Sequence, residues 1–572
     1  MDEIEPRVQD LAMIGDRRSC AFLDKGGNIV WYCPKRFDEP SVFASLLDAK
    51  QGGEWHLEME GMHFEKRAYV EDSAILQTTF RGEKGSCVLE DWMPLYASFF
   101  GICRKLTKAP SSYTFKLSPR PNYNRRQAVL KLKQAQHATI DFDFHLYASH
   151  PLQIEEETIS CHVPAGEEAW LIFSETELDD PLKRLEESRK LTLKNWGEVA
   201  GHITYKGPYE DEVRKSLRLL RMLTYAQNGG LIAAATTSLP EVLGGNRNYD
   251  YRYVWLRDAA MIVSALARAG SDGEEERLFL SFICSAMHRL SEPIVPMFTL
   301  DYQPAGTEQE LDFSGYRCSK PVIYGNGANH QLQLDANSNV LIAAKVIYNR
   351  YDTKEHWETV QRIANFIVDH WDKPDHGMWE ETCRHHYTSS KVVASISLKY
   401  IAEHSDDKEE QERWLNASEQ IKAFVHKNCL TSDGAYAVYA GSEDVDVSAV
   451  LFPIWGYTDA DTPIMLKTIE KLEKNYCQNK LYRRHLVEYD SQKEGAFLAG
   501  TCWVAQYWVM RKNRKKVEET LQAVLRYMND TGLMPEEGDP ETGEWLGNIP
   551  QAFVHASLIG VVIDYRSMFE EK

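Results

Sequence analysis

The chain lacks any long hydrophobic run. None of its segments approaches the ~20 consecutive apolar residues that a membrane-spanning helix needs, and residues 1–19 lack a basic segment followed by an apolar one, so no signal peptide is predicted. Positive charge is also in deficit, because 65 Lys and Arg face 85 Asp and Glu and leave a net charge of −20. Such a surface repels phosphate backbones and anionic lipids. We therefore expect neither nucleic acid nor a membrane as a partner.

Paired cysteines are absent as well. The 11 cysteines are an odd number, contain no C-x-x-C pair and are scattered from Cys20 to Cys502, which indicates neither a zinc knuckle nor a disulfide framework. We interpret them as reduced thiols of a cytoplasmic protein. Cys383, His385 and His386 are metal-ligating residue types, but their spacing does not suit one helical face and no carboxylate follows four residues on, so no metal is predicted.

Several motifs of nucleotide and hydrolase chemistry are missing. There is no G-x-x-x-x-G-K-[ST] sequence for phosphates and no G-x-S-x-G elbow for a nucleophilic serine. The run Gly325-Asn326-Gly327 lacks the strand–turn–helix context of a dinucleotide site. A Ser-His-Asp triad is not excluded by composition. We expect an activity that needs no cofactor.

Residues 1–180 alternate apolar and polar side chains with period two. The segment 139–149, TIDFDFHLYAS, is an example, and turn clusters such as 24–27 and 82–85 separate segments of this kind. Period two is typical of half-buried strands, and many short strands joined by hairpin turns favour an antiparallel β-sandwich. No catalytic constellation stands out here, so we predict a structural or dimer-forming role, the second of which implies a homo-oligomer.

A helical period of 3.6 replaces the strand pattern after residue 180. Residues 181–209 are predicted to be a linker helix region, and residues 210–572 a separate domain with twelve helices. The eighth of these contains Pro453, and an interior proline breaks a helix. The predicted helices are 211–226, 257–269, 274–290, 329–350, 354–371, 389–404, 408–428, 446–456, 461–476, 495–512, 514–530 and 550–569.

Long and short connections alternate between these helices. Each long loop leads from an odd-numbered helix to an even-numbered one: 227–256, 291–328, 372–388, 429–445, 477–494 and 531–549. Six antiparallel pairs closed into a double ring, an (α/α)6 barrel, would bring all six loops to one end. Because loops on a rigid scaffold carry function, we expect the functional site at that end.

Acidic residues recur where these long loops approach the next helix. Three loops contain acidic residues beside other candidate residues. The first loop contributes Arg257 and Asp258, the third contributes Trp379, Glu380 and Glu381, and the sixth contributes Glu536 and Glu537. Each group alone has a plainer interpretation, namely an ion pair at a helix start, an aromatic beside surface acids, or solvated turn charge. Together at one mouth they favour cleavage of a glycosidic bond. That reaction needs one protonated carboxyl group for the leaving oxygen and one carboxylate that activates water.

Six segments carry a resemblance to a known family. They are 14–48, 237–259, 314–326, 377–391, 494–503 and 532–559, and they include TSLPEVLGGNRNYDYRYVWLRDA, GMWEETCRHHYTSSK and GLMPEEGDPETGEWLGN. In sequence and order they resemble glycoside hydrolase family 15, the glucoamylase-type enzymes, in the bacterial and archaeal branch that includes trehalases and glucodextranases. The resemblance implies an N-terminal β-sandwich followed by an (α/α)6 barrel, and hydrolysis of α-linked glucosides without a cofactor.

The resemblance also implies roles for individual residues. The general acid falls on Glu380 and the general base on Glu536. Arg257 and Asp258 match positions that hold hydroxyls of the non-reducing glucose. The other predicted substrate-binding residues are Tyr251, Trp255, Trp379, Glu381, Glu537 and Arg484.

Two departures from the family pattern bear on the substrate. Fungal members have an Asp where this chain has Gly377, and trehalase-like members usually follow the catalytic Glu with a hydrophobic residue, Arg and Gly, where this chain has Glu381-Thr382-Cys383. A doubled Glu after the Trp is typical of many glucoamylases. We therefore predict an inverting exo-acting α-glucosidase that releases β-glucose from malto- or isomalto-oligosaccharides. The alternative is a trehalase of the same family.

Two functions of other classes fit the residues less well. A phosphorylase on a similar barrel would replace the general base with a phosphate pocket. A catalytically inactive sugar-binding protein would be expected to lack one of the two glutamates. The presence of both Glu380 and Glu536 argues against each of them.

Overall fold

The computed structural model describes residues 6–141, 143–201, 204–290, 294–485 and 494–570. Fifteen strands come first: β1 Ala12–Gly15, β2 Cys20–Leu23, β3 Ile29–Tyr32, β4 Glu54–Met59, β5 His63–Tyr69, β6 Leu76–Gly82, β7 Gly85–Trp92, β8 Gly101–Leu106, β9 Tyr113–Ser118, β10 Leu130–Gln134, β11 His137–Ile140, β12 Phe144–Ala148, β13 Leu152–Glu155, β14 Thr158–Val163 and β15 Ala169–Ser174. They form a seven-stranded sheet, β1-β2-β3-β4-β9-β14-β13, and an eight-stranded sheet, β10-β11-β12-β15-β8-β7-β6-β5. The predicted antiparallel β domain is confirmed.

Alternation of side chains explains why the two sheets pack face to face. In β4, Trp55 and Leu57 point inward, and their cross-strand partners in β9 are Leu117 and Phe115. All four are buried in one core together with Phe173 of β15 from the other sheet. Successive strand residues point to opposite faces, so one apolar face per sheet is enough to form this core.

The helical domain follows a linker helix, α1 Pro181–Gly201. Its helices are α2 Glu210–Met222, α3 Leu256–Ala269, α4 Glu274–Met287, α5 Leu334–Tyr351, α6 Trp357–His370, α7 Thr388–Ala402, α8 Lys408–Asn428, α9 Leu451–Ile454, α10 Pro463–Asn475, α11 Leu498–Met510, α12 Arg514–Leu525 and α13 Ala552–Phe569. Helices α3, α5, α7, α9, α11 and α13 contact one another in that order, and α13 returns to α3 to close an inner ring. The others pack outside it, which confirms the (α/α)6 barrel.

Burial separates the two rings. Twelve of the 13 residues of the inner helix α11 are buried, against five of the 21 residues of the outer helix α8. Helix α13 has the length and mean hydropathy, 1.2, of a membrane span, but it is a mostly buried helix of the inner ring. Its apolar composition follows from its place in the barrel core.

The eighth predicted helix is much shorter than expected. The segment 446–456 forms a 3-10 turn, Val447–Val450, followed by the four-residue α9. Pro453 lies within the first turn of α9. An N–H group at that position would have no acceptor within the helix, so the proline removes no helical hydrogen bond. The fourth predicted helix, 329–350, starts at Leu334 because a 3-10 turn, Gly327–His330, precedes it.

All six long connections lead from an outer helix to the next inner helix, so they meet at the end where the inner helices begin. The sandwich supports the first of these loops. Arg252 of that loop donates to the Tyr123 hydroxyl at 2.7 Å, and the Trp31 indole donates to the Ala235 carbonyl at 3.0 Å. Both bonds are buried, so the β domain fixes one wall of the barrel mouth.

Candidate active site

A cavity of about 300 Å³ opens at the loop end of the barrel. Four of the long loops line it, and they contribute Tyr251, Gln331, Glu380 and Arg484 among others. A narrower recess adjoins the cavity and shares Tyr251, Glu380 and Arg484 with it. The last long loop adds Glu536 to the recess. The two glutamates chosen from the sequence therefore face one continuous space.

Glu380 has a strained backbone and a cationic partner. Its φ of +55° lies in the left-handed region, which a non-glycine residue adopts at a cost of about 1–3 kcal/mol and most often at functional sites. Arg257 Nη1 donates to Glu380 Oε1 at 2.7 Å, and Gln331 Nε2 donates to the Glu380 carbonyl at 3.0 Å. The side chain keeps 19% of its surface exposed toward the cavity.

Burial raises the pKa of Glu380 to about 7. The negative charges of Asp258 and Asp335 act in the same direction, while Arg257 opposes them. A carboxyl group that holds its proton near neutral pH can act as a general acid. The structure thus gives Glu380 the property that its predicted role requires.

Arg257 serves several acceptors at once. Its Nε donates to Asp258 Oδ1 at 2.9 Å, and its Nη1 lies 3.6 Å from Asp335 Oδ2. Arg257 and Asp258 form the ion pair expected at the start of α3, and both also line the recess. Asp335 was not predicted as a site residue, although it follows the same rule as the other acids, since it stands in the first turn of an inner helix after a long loop.

Glu536 is 3% exposed and has a different environment. The Tyr251 hydroxyl donates to its Oε1 at 3.1 Å, and its Oε2 accepts no hydrogen bond from the described part of the chain. Burial and the charge of Glu241 raise the pKa of Glu536 well above its usual value, against the effects of Arg484 and Tyr251. The geometry rather than this pKa suits a general base, because Oε2 is free to accept a hydrogen bond from a water in the recess.

Comparisons with known proteins bear directly on this site. The model of the glycosyl hydrolases family 15 matches residues 207–518 and 509–562, and the trehalase-like N-terminal model matches residues 2–141. The chain belongs to glycoside hydrolase family 15. This family 15 protein is a glycoside hydrolase, as predicted from the six segments.

Relatives of this family 15 hydrolase match almost its whole length. It is 31% identical to Trehalase 1 of Sulfolobus acidocaldarius over 96% of this chain and 98% of that protein. It is 29% identical to a trehalase of Thermoplasma volcanium, over 97% of this chain and 93% of that protein. It is 26% identical to a trehalase of Mycobacterium tuberculosis, over 98% of this chain and 89% of that protein. The crystal structure of a bacterial glucoamylase complexed with acarbose superposes with a TM-score of 0.76 at 14% identity, covering 99% of this chain and 97% of that one. That likeness shows the shared fold.

The hydrolase holds Arg484 among three carboxylates. Its Nη2 lies 2.8 Å from Glu241 Oε2, 3.0 Å from Glu494 Oε2 and 3.3 Å from Glu537 Oε1. These three acids form a group of the kind that could hold a metal ion, but the guanidinium already supplies the positive charge among them. Arg484 also lines both the cavity and the recess, in agreement with its predicted place at the site.

Glu537 was predicted to contact the sugar, but it lines neither the cavity nor the recess. It is fully buried, accepts a hydrogen bond from the Gly495 amide at 3.0 Å and pairs with Arg484. Glu536 lies at a bend just before the two-residue strand Glu537–Gly538, and Glu537 pairs with Phe497 in a short antiparallel ladder. The two side chains therefore have different partners, and of the two only Glu536 lines the recess.

The predicted aromatic residues form a rigid wall. Tyr251 and Trp255 meet edge to face with ring centroids 6.0 Å apart. The Trp379 indole donates to Asp446 Oδ2 at 2.8 Å, and the Trp255 indole donates to Gln333 Oε1 at 3.1 Å. All three rings line the cavity and the recess. Flat rings held this firmly can stack on a sugar ring with little loss of side-chain entropy.

Further side chains around the cavity were not chosen from the sequence. His485 Nε2 lies 2.6 Å from Glu381 Oε1, and both Glu241 and Arg247 line the cavity. Glu241 and Arg247 lie inside the most specific family segment, 237–259, so the sequence could have indicated them as site residues. His485 had no such signal, because it lies between recognised segments.

Proposed function

We propose that the protein is an inverting trehalase, with Glu380 as the general acid and Glu536 as the general base. The observation that carries the substrate is that six relatives named trehalases each match 94–98% of the chain. Malto- or isomalto-oligosaccharides were predicted from the sequence because Glu381-Thr382-Cys383 departs from the usual trehalase pattern. Likeness along the whole chain outweighs that local departure.

The size of the cavity supports a small substrate. Ligand sites in proteins usually measure about 300–1,000 Å³, and the cavity of about 300 Å³ lies at the lower limit of that range. It adjoins a recess that Arg257 and Asp258 line with Glu536. The recess itself measures only about 10 Å³, so one glucose would lie where the cavity meets the recess, with its hydroxyls toward Arg257 and Asp258, and the second would lie further out in the cavity.

The geometry supports a single displacement at the anomeric carbon. Glu536 Oε2 takes a proton from water, the water oxygen bonds to the anomeric carbon, and the bond to the bridging oxygen breaks. Glu380 gives its proton to that oxygen, which leaves as a hydroxyl of the second glucose. Arg257, 2.7 Å away, then stabilises the ionised Glu380.

Substrate choice is tested by measuring kcat/KM on trehalose, maltose, isomaltose and dextran. We expect trehalose to be hydrolysed at least ~10-fold more efficiently than maltose, since a site that hydrogen-bonds one arrangement of hydroxyls discriminates against another. The doubled glutamate Glu380-Glu381 favours the second candidate, an exo-acting glucosidase of malto- or isomalto-oligosaccharides. A higher kcat/KM on maltose or isomaltose would select it and refute the trehalase.

The stereochemistry has its own readout. Inversion of trehalose releases one β-glucose from the attacked ring and one α-glucose from the leaving ring, so early proton NMR spectra should show equal amounts. Release of α-glucose alone would refute inversion. A cytoplasmic location and a homo-oligomer stay predictions from the sequence, testable by cell fractionation and by light scattering of the purified protein.

A further inference from the structure

The cavity contains a carboxylate that the mechanism does not use. Glu241 belongs to the first long loop, is 1% exposed and lines the cavity between Tyr251 and Arg484. We propose that Glu241 is a specificity-determining residue that accepts a hydrogen bond from a hydroxyl of the leaving sugar. This inference rests on the proposed hydrolysis of a disaccharide.

The two oxygens of Glu241 have unequal environments. Oε2 lies 2.8 Å from Arg484 Nη2 and 2.8 Å from Arg247 Nε. Oε1 has a single hydrogen-bond contact from the described residues, to the Tyr251 hydroxyl at 3.5 Å. The arginines therefore fix the orientation of the carboxylate through one oxygen and leave the other beside Tyr251.

Tyr251 cannot satisfy this second oxygen. A phenol has one hydrogen to donate, and the Tyr251 hydroxyl is closer to Glu536 Oε1, at 3.1 Å, than to Glu241 Oε1, at 3.5 Å. While the hydroxyl donates to Glu536, Glu241 Oε1 is a buried acceptor without a donor. Burial of such an acceptor without a donor is unfavourable, and a sugar hydroxyl in the cavity removes that cost.

The position of Glu241 identifies the ring that it contacts. Glu241 lines the outer cavity but not the recess, whereas Asp258 and Glu536 line the recess but not the cavity. In the proposed binding mode, the attacked glucose lies on the recess side of Glu380, because Asp258 and the general base Glu536 line the recess. The hydroxyl that meets Glu241 therefore belongs to the leaving sugar, so Glu241 affects which disaccharide is accepted and has no direct contact with the bond that breaks.

The test compares a substrate that has a leaving sugar with one that does not. α-Glucosyl fluoride presents the same attacked glucose, but its leaving group is a single fluoride in place of a sugar. We expect Glu241→Gln to lower the ratio of kcat/KM on trehalose to kcat/KM on α-glucosyl fluoride by ~10–100-fold, because a hydrogen bond to a charged group contributes about 1.5–3 kcal/mol. Glu241→Asp, which keeps the charge and shortens the reach, should lower the same ratio.

Glu494→Gln is the matched control. Glu494 pairs with the same Arg484 and Arg247 but does not line the cavity. Its substitution should change both substrates in parallel and leave the ratio within about threefold of wild type, which is the scatter that measured interaction energies show. An unchanged ratio in Glu241→Gln, or an equal fall in Glu494→Gln, would overturn the inference.

Failure of the proposed function gives a different result. If wild-type protein hydrolyses α-glucosyl fluoride and maltose but not trehalose, the trehalase is wrong, and the maltose-to-fluoride ratio then tests Glu241 in the same way. If Glu241→Gln does not fold, Glu241→Asp supplies the comparison. A fall in the ratio of kcat/KM on maltose to kcat/KM on α-glucosyl fluoride in Glu241→Gln would support the role of Glu241 for a different disaccharide.

Discussion

Glu380 is partly buried and Glu536 is fully buried, and the charge of one arginine acts on each of them, but only Glu380 is in direct contact with its arginine. Arg257 donates directly to Glu380 at 2.7 Å. Arg484 pairs with Glu241, Glu494 and Glu537, and Glu536 receives a neutral hydroxyl from Tyr251 at 3.1 Å. The difference matches the two halves of the reaction. A general acid becomes an anion as it reacts and gains from an adjacent cation, whereas a general base needs a free oxygen for water.

The carboxylates around each arginine extend this contrast. Arg257 has Asp258 and Asp335 as further acidic neighbours, which keep its charge from fully suppressing the pKa of Glu380. On the other side, the charge of Glu241 raises the pKa of Glu536. Because the two glutamates also interact, the pH profile of the enzyme reports macroscopic values of the pair. The predictions below separate the two sides.

The largest expected effect separates acid from base. Glu380→Gln cannot supply a proton, so kcat on trehalose should fall by ~10²–10⁴-fold. Its activity on α-glucosyl fluoride should fall much less, because fluoride leaves without a proton. Glu536→Gln removes the base and should abolish turnover of both substrates. Near-normal hydrolysis of trehalose by Glu380→Gln would show that the acid is misassigned.

The next effect concerns the binding of the attacked glucose by Asp258. Asp258→Ala should lower kcat/KM on trehalose and on α-glucosyl fluoride together by ~10–100-fold, the equivalent of a charge-assisted hydrogen bond of about 1.5–3 kcal/mol. A thermal melting curve is the control. If Asp258 serves only the ion pair with Arg257, the variant loses stability and keeps its specific activity.

A smaller effect is expected on the base side. Tyr251→Phe removes one neutral hydrogen bond, worth about 0.5–1.5 kcal/mol, so kcat should fall by about 2–12-fold. That bond lowers the pKa of Glu536, so its loss raises the pKa and leaves less ionised base at low pH. The acid limb of the kcat/KM profile should move to higher pH. Movement of the alkaline limb alone would contradict this assignment.

The smallest change in rate is expected from Asp335→Asn. The charge of Asp335 raises the pKa of Glu380, which burial brings to about 7, and activity requires the protonated form. Wild-type activity should therefore decline as pH rises above about 7. Asp335→Asn lowers this pKa, so the alkaline limb should move to lower pH with little change at the optimum. An alkaline limb that stays in place or moves upward would contradict the effect of the Asp335 charge on the pKa of Glu380.

Local sequence predicted the elements of this fold well where one period is sustained. Period-two alternation predicted the β domain, but the segment 139–149, predicted as one strand, contains the end of β11 at Ile140 and the start of β12 at Phe144, which pair as a hairpin. The period of 3.6 located eleven helices of useful length. The exception, 446–456, shows where local reasoning fails, since only packing against α11 decides that a 3-10 turn and one helical turn fill this place in the inner ring. Loop lengths were enough to predict which barrel end holds the site.

The sequence by itself determined the residue types at the barrel mouth, because long loops that alternate with short ones must emerge on one side. Only the tertiary structure decided which acid of the pair Glu536-Glu537 lines the recess. Glu536 and Glu537 have the same local propensities, and the ladder between Phe497 and Glu537 turns Glu537 toward Arg484. Burial, the sharing of one arginine among several carboxylates, and the resulting pKa values arise from groups far apart in the chain, so no local pattern encodes them.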